Sequence, residues 1–482
     1  MSNNDNLTIL QINDTHAYFE LHNELFWVGK KGLYKKAGGY ARIATLFKEI
    51  RDEKNGKVVC LDNGDTIHGT FSAVKSKGHD LVKILNHLNL DAMTAHWEFA
   101  YGPDNFKDLV NKLRFPMLAI NCYEKKSKKL VSHPFRIIDI GKLRVGIIGI
   151  AATIIDKTMP KHFSKGLHFT LGNKELPEYI RQLREIENVD LIIVLSHLGF
   201  PQEIKLAKEI DGIDILLSGH THNRLYKPVV VNDTIIIQSG CHGSFVGRLD
   251  LEIKNMRIKK YKHELITVSE SIKPDPTVDS IVNKSLEKDR DMLNVVLGKT
   301  KTALNRNQVM ETTMDNFLLD ALKHASGEKL VFSNGWRYGA PVKVGPITMN
   351  DLWNIIPTNP KISICKITGE ELWEMMEENL ERTFSCDPYK QMGGYVKRCA
   401  GINIYFKIEN PEGKRIQEFF VNEKRLNRSK LYNACFVTSQ GIPDNFGTDR
   451  QSLELRAIDA LEDYLNVRKT ISADLKRTIV PI

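Results

Sequence analysis

The sequence predicts an α/β protein in which a covered, mostly parallel sheet presents polar residues at its strand ends. Three observations carry that expectation. Short apolar runs alternate with helical stretches, residues of one small polar set (Asp, His, Asn) stand where those runs end, and the alternation resumes after a polar break near residue 270. The 482 residues suffice for two or three domains, and 42% hydrophobic with 26% charged residues is an ordinary globular composition.

Residues 7–12 read as a strand that ends in Asn13-Asp14-Thr15-His16. A helix is predicted over 40–54. Val58–Leu61 is the next buried strand and closes on Asp62-Asn63-Gly64-Asp65. Helices over 79–90 and 104–113 flank Ala95-His96-Trp97-Glu98-Phe99, and Phe115–Ile120 reads as a strand before Asn121. Leu143–Ile150, Leu191–Leu195 and Ile213–Leu217 are further apolar strands. The second of these releases Ser196-His197, and the third releases Ser218-Gly219-His220-Thr221-His222. A single Asp or His after a strand is an ordinary cap or turn residue. Recurrence at six strand ends (Asp14 with His16, Asp65, His96, Asn121, His197, His220 with His222) points to a shared site. Two imidazoles at i and i+2 beside a strand end suit a transition metal.

Lys273-Pro274-Asp275-Pro276 interrupts the pattern. The expected organisation is a catalytic domain over 1–265, a helical linker over 266–296 and a second α/β domain over 297–482. The second domain is predicted to hold helices at 313–325, 349–355 and 369–382. Strands are predicted at 329–333, around 401–408 and over 417–437. Two glycine-bearing loops stand out, Asn334-Gly335-Trp336-Arg337-Tyr338-Gly339 and Asp387 to Gly394.

The net charge of +9 is modest and dispersed. Basic clusters such as Lys125 to Lys129 lack interleaved aromatics, which argues against a nucleic-acid polymer as partner, and the charge is compatible with a small anionic substrate. No run approaches the ~20 apolar residues of a membrane span. Met1 to Asn6 lacks the basic-then-apolar pattern of a signal segment. The seven cysteines form no C-x-x-C pair and read as reduced thiols, so a cytoplasmic location without membrane contact is expected.

Asp14-x-His16, Gly64-Asp65, Ala95-His96-Trp97-Glu98, His197 and Gly219-His220-x-His222 resemble, in order and spacing, the calcineurin-like metallophosphoesterases. With the C-terminal half included, the resemblance extends to the 5′-nucleotidase family. It implies a four-layer α/β/β/α catalytic domain followed by an α/β substrate-binding domain. It also implies two divalent metal ions. One would be held by Asp14, His16, Asp65 and His222, and the other by Asp65, His96, His197 and His220, with Asp65 bridging. Manganese is expected, with zinc or iron as alternatives for such mixed nitrogen and oxygen ligation. Two metals ~3.5–4 Å apart supply the hydroxide and the charge neutralisation that hydrolysis of a phosphoryl or sulfuryl centre needs.

The sequence departs from the family in a metal-site motif. Gly-Asn-His-Glu, followed two residues later by Asp, is here Ala95-His96-Trp97-Glu98-Phe99-Ala100. His96 replaces the asparagine ligand, while Trp97 and Ala100 replace the catalytic His/Asp pair. This form resembles the SoxB-type thiosulfohydrolases, di-manganese enzymes acting on a carrier-bound cysteine derivative. The loops at 334–339 and 387–394 resemble that branch as well. By resemblance, Asp65, His96 and Arg337 are catalytic, and Asn121, Asn334, Arg337, Gln391 and Gly393 bind substrate. Phe446 would stack on a base and Asp449 would hold a ribose. The expected function is metal-dependent hydrolysis of a nucleotide or other small phosphomonoester. The alternatives are thiosulfohydrolysis of a cysteine S-thiosulfonate and a metal-binding scaffold without turnover.

Overall fold

The computed structural model describes residues 4–482. The chain divides into two compact units. Residues up to Glu24, Lys35–Lys157 and Lys161–Lys288 form the first, and Leu25–Tyr34, Thr158–Pro160 and Asp289–Ile482 form the second.

The first unit is built on two sheets. One has the order Arg257–Thr267, Phe245–Lys254, Asn4–Ile12, Val58–Asp62, Ala92–Met93. The other runs Val229–Val231, Thr234–Ile237, Ile215–Leu217, Leu191–Ser196, Leu143–Ile150, Phe135–Ile140. Leu7, Ile9, Val59 and Leu61 of the first sheet share one buried cluster with Val145, Ile147, Ile193 and Ile215 of the second. The sheets therefore pack face to face. Leu176, Ile180, Leu183, Leu206 and Ile210 cover the outer face of the second sheet. The helix Tyr40–Glu53 lies against the strand Val58–Asp62 of the first. This is the α/β/β/α layering, and it explains why the central strands are apolar throughout: they are buried on both faces.

Strand register aligns the chemistry. Ile12 stands opposite Asp62 in one parallel pair, and Ser196 opposite Ile150 in another. Asp14, Asp65 and His197 therefore leave the sheets at the same edge.

Three sequence expectations need correction. Phe115–Ile120 is not a strand: Met117 and Leu118 make only isolated bridges to Met93 and His133. Pro116 lacks the N–H a ladder needs. The strands Phe135–Ile140 and Arg257–Thr267 were not expected, because their faces are half-exposed and carry no apolar run. The 266–296 stretch is largely folded onto the first unit. Its helix Pro276–Leu286 is capped by Asp275, which accepts from the Thr277 and Val278 amides, and it packs on the helices Tyr40–Glu53 and His79–Leu88. Val278 and Val282 are buried there, and the division between units falls after Lys288.

The second unit centres on a sheet ordered Tyr395–Ala400, Leu330–Gly335, Leu431–Val437, Lys361–Thr368, Thr448–Arg456. The helix Gly369–Phe384 begins in a capping box made by Thr368 and Glu371. Its Leu372, Met375, Met376 and Leu380 join Phe332, Ile367 and Phe436 in the core. Asp315 is buried between two arginines, accepting from Arg306 Nε at 2.9 Å and Arg398 Nε at 2.9 Å. Removing the carboxylate would strand both guanidinium groups in a dry interior. Asp315→Ala is therefore expected to cost about 3–5 kcal/mol, the usual loss when a buried ion pair is broken from one side. A lowered urea midpoint for the second unit checks this. Among the described residues no helix is long and apolar enough to cross a membrane.

Candidate metal centre

The polar residues at the strand ends converge. Among the described residues, Asp14, His16, Asp65 and His222 form one group of possible ligands, and Asp65, His96, His197 and His220 form another. Within each group the donor atoms lie within 4.8 Å of one another, and Asp65 belongs to both. His96 Nδ1 is 3.0 Å from the Asp65 carboxylate, and His197 Nε2 is 3.3 Å from Asp65 Oδ2. His222 Nε2 is 3.2 Å from Asp14 Oδ1 and 3.2 Å from His16 Nε2.

The backbone is bent to achieve this. Asp14, His16, Asp65, His220 and His222 all hold left-handed φ, at 50°, 48°, 57°, 69° and 59°. Such conformations cost on the order of 1–3 kcal/mol each in non-glycine residues and persist only where the surroundings fix them. Here the fixing bonds are local. Asp14 N donates to Gly64 O, His16 N to Asp65 O, and His220 N to the Asp14 carboxylate. Two glycines make room for the convergence. A Cβ on Gly64 would come within 2.7 Å of Thr94 O, and one on Gly219 within 2.9 Å of His197 Nδ1.

Hydrogen bonds set the imidazole tautomers. His197 Nδ1 lies 2.6 Å from Asn63 O, and His16 Nδ1 lies 3.3 Å from His68 O. A carbonyl only accepts, so each Nδ1 carries the proton and each Nε2 is turned towards the carboxylates. Burial pushes His16 down to about 3, against the pull of Asp65, and keeps it neutral. Burial opposes protonation of His197 too, but Asp65 and Asp14 beside it raise it to about 10. Burial would raise Asp65, yet the His96 and His197 imidazoles hold it well below the usual carboxylate range. Two carboxylates and a ring of inward-facing nitrogens thus call for shared positive charge. A mixed nitrogen and oxygen donor set of this kind fits divalent transition metals.

Sequence reasoning missed the supports. Glu98 is buried and its carboxylate accepts from the His96, Asp65, Thr66 and Ile67 amides, clamping both ligand turns together. Asn63 donates to Ser196 O and Leu217 O and so ties the two sheets at the site. The signal for both was adjacency to the motifs, Asn63 before Gly64-Asp65 and Glu98 two residues after His96.

Other expected site residues lie elsewhere. Asn121 is fully buried and spends its amide on Ala151 and Thr170, so it braces loops rather than meeting substrate. In the second unit Phe446 is part of the hydrophobic core, which removes it from base stacking. Asp449 is exposed on a strand and pairs with Lys366 Nζ at 2.9 Å. The two glycine-bearing loops do meet. Arg337 Nη2 donates to Gly394 O at 2.9 Å, and its guanidinium lies 5.0 Å from the centre of the Tyr395 ring. Asn334 donates to Gln440 Oε1 at 3.2 Å, and Gln391 donates to Ser385 O at 3.0 Å. Gly393 follows in the same loop with φ 66°.

Residues 7–224 match the calcineurin-like phosphoesterase family, and residues 294–439 match the 5′-nucleotidase C-terminal domain. The chain is 25% identical over 460 residues to the trifunctional nucleotide phosphoesterase protein YfkN of Bacillus subtilis. That match covers 86% of this chain but only 30% of YfkN. It is 26% identical over 455 residues to the snake venom 5′-nucleotidase of Naja atra, covering 85% of this chain and 83% of that protein. Among solved structures, a sulfate thiohydrolase SoxB from Thermus thermophilus superposes with a TM-score of 0.92 at 22% identity, over 99% and 96% of the two chains. A 5′-nucleotidase precursor, also from Thermus thermophilus, superposes with a TM-score of 0.87 at 21% identity, over 99% of each chain. These two likenesses establish the fold. With both of its regions matched and its strand-end residues gathered into two ligand groups, the chain joins a calcineurin-like phosphoesterase region to a 5′-nucleotidase C-terminal region, the pairing of metal-dependent hydrolases.

Proposed function

We propose that the chain is a di-metal phosphomonoesterase acting on a nucleotide or another small phosphate ester. The observation that carries this reading is the single carboxylate, Asp65, common to two four-residue groups of buried and half-buried ligands. Bound there, two divalent ions, manganese by preference, would activate water and neutralise a tetrahedral anion. The chain's own residues do the rest. Asp14, His16 and His222 would hold one ion and His96, His197 and His220 the other, with Asp65 in both groups, and Glu98 keeps their turns in register. In the second unit Arg337 offers a planar guanidinium suited to an oxyanion, with Asn334, Gln391 and Gly393 in the loops beside it. The seven cysteines are free thiols, which suits a reducing, cytoplasmic setting.

His96 tests the ligand assignment. Asparagine keeps a donor at this position, so His96→Asn is expected to retain most of the bound metal. His96→Ala should fall from two ions per chain towards about one, since it leaves one site a ligand short. Elemental analysis of both variants decides, and complete loss of metal from His96→Asn would contradict the assignment.

A second reading is favoured by His96-Trp97, which departs from the phosphoesterase motif in the way thiosulfohydrolases do. A screen with added manganese separates the two. Phosphate release from nucleotides or sugar phosphates supports the first reading, and sulfate release from S-sulfonates with no phosphate release supports the second.

A further inference from the structure

A third group of possible ligands lies in the first unit, outside the two groups that share Asp65. It consists of His22, Glu24 and His242, all buried, with donor atoms within 4.8 Å of one another. His22 and Glu24 stand at i and i+2 in the strand His22–Val28, so they leave it on one face. His242 comes from the turn before the strand Phe245–Lys254 and holds a left-handed φ of 60°, as five ligands of the metal centre do. Gly38 makes room for the His22 ring, because a Cβ there would collide with Cε1.

The hydrogen bonds prepare these atoms for a cation. His22 Nδ1 lies 3.1 Å from Glu20 O, which only accepts, so the neutral ring keeps its proton on Nδ1 and turns Nε2 inward as an acceptor. Arg224 Nη2 donates to Glu24 Oε1 at 2.8 Å and orients the carboxylate. Glu24 Oε2 then lies 3.1 Å from His242 Nδ1 and 3.0 Å from Ser244 Oγ. Ser244 Oγ is also 3.1 Å from His22 Nε2. The hydroxyl has a single hydrogen for two acceptors, whereas a cation among these atoms would satisfy both. Two imidazoles and one carboxylate form a three-ligand set typical of zinc, with Ser244 Oγ or a water for the fourth position.

We propose that His22, Glu24 and His242 bind one zinc ion, apart from the two-ion centre, that braces the turn carrying Asp14. His242 N donates to Asp14 O at 2.7 Å, so the ion ties the strand at His22 and Glu24 to that turn. The His242 ring lies 6.1 Å from that of His16 and 6.2 Å from that of His222, beside both without joining either ligand group. Such an ion adds its binding free energy to folding and is taken up as the chain folds. Manganese favours oxygen-rich sets and leaves this one to zinc. The site is independent of which ester the two-ion centre acts on.

The test is the zinc content of the full-length chain, refolded from urea with zinc and then dialysed. It is read in the Asp65→Asn background, where the two-ion centre is expected to be empty, and in the otherwise native chain. Asp65→Asn should hold one zinc ion per chain, and Asp65→Asn with His22→Ala none. In the native background His22→Ala should hold one zinc fewer than the wild-type protein. His22→Ala leaves the pair between Glu24 and Arg224 in place. His22→Phe keeps a ring against Tyr18, 4.5 Å away between centroids, but offers no nitrogen, and it should lose the same ion even if the alanine variant fails to refold. Zinc content that stays the same without the His22 imidazole, in both backgrounds, would overturn the proposal. Ions retained by Asp65→Asn but insensitive to His22 would count against the bridging role of Asp65, so the two assignments fail separately.

Discussion

Asp65→Asn is expected to abolish turnover and to empty both ligand groups. Asp65 is the residue the two groups share, with His96 and His197 within 3.0 and 3.3 Å of its carboxylate. The amide is nearly isosteric but carries no charge, so two cations would face one another with less anion between them. Its NH₂ would also point hydrogens at nitrogens that now face an acceptor. Loss of metal-based charge stabilisation is worth several kcal/mol, so kcat should fall by at least about 10³-fold. Elemental analysis beside a phosphate-release assay reads both effects. Two ions per chain in Asp65→Asn would mean that the bridge is made by some other group.

The second large effect is expected at Arg337. Its guanidinium is laid on Tyr395 and tied to Gly394 O, so its geometry is set before any anion arrives. A preorganised donor to a developing oxyanion typically contributes about 10²–10³-fold. Arg337→Ala should therefore lower kcat/KM by roughly that factor while metal content stays unchanged. Arg337→Lys should recover only part of the loss, because an ammonium is a point charge without the planar fork. Unchanged kinetics in Arg337→Ala would remove this residue from substrate binding.

The convergence of the candidate ligands was legible because its logic is local. An apolar run fixes a buried strand, and the polar residues after it must emerge at the sheet's edge, which covers Asp14, His16, Asp65, His197, His220 and His222. The α/β alternation was legible for the same reason. Roles that depend on tertiary surroundings were not. Whether Phe446 stacks on a ligand or fills a core is decided by Cys365, Leu372 and other residues that share its cluster from distant parts of the chain. Asn121 has the right type just after an apolar run, yet Ala151 and Thr170 claim its amide. Glu98 looked like a motif letter, and only the fold reveals a buried carboxylate collecting four amides. The left-handed φ of five ligand residues leaves no mark in composition either, since none of them is glycine.

The most direct measurement is phosphate release by metal-stripped protein titrated with manganese, using a 5′-nucleotide and p-nitrophenyl phosphate at saturating concentrations. Activity is expected to appear as the ions bind and to level off at two equivalents per chain. Saturation at one equivalent, or no phosphate release at any manganese concentration, would contradict a two-ion phosphomonoesterase.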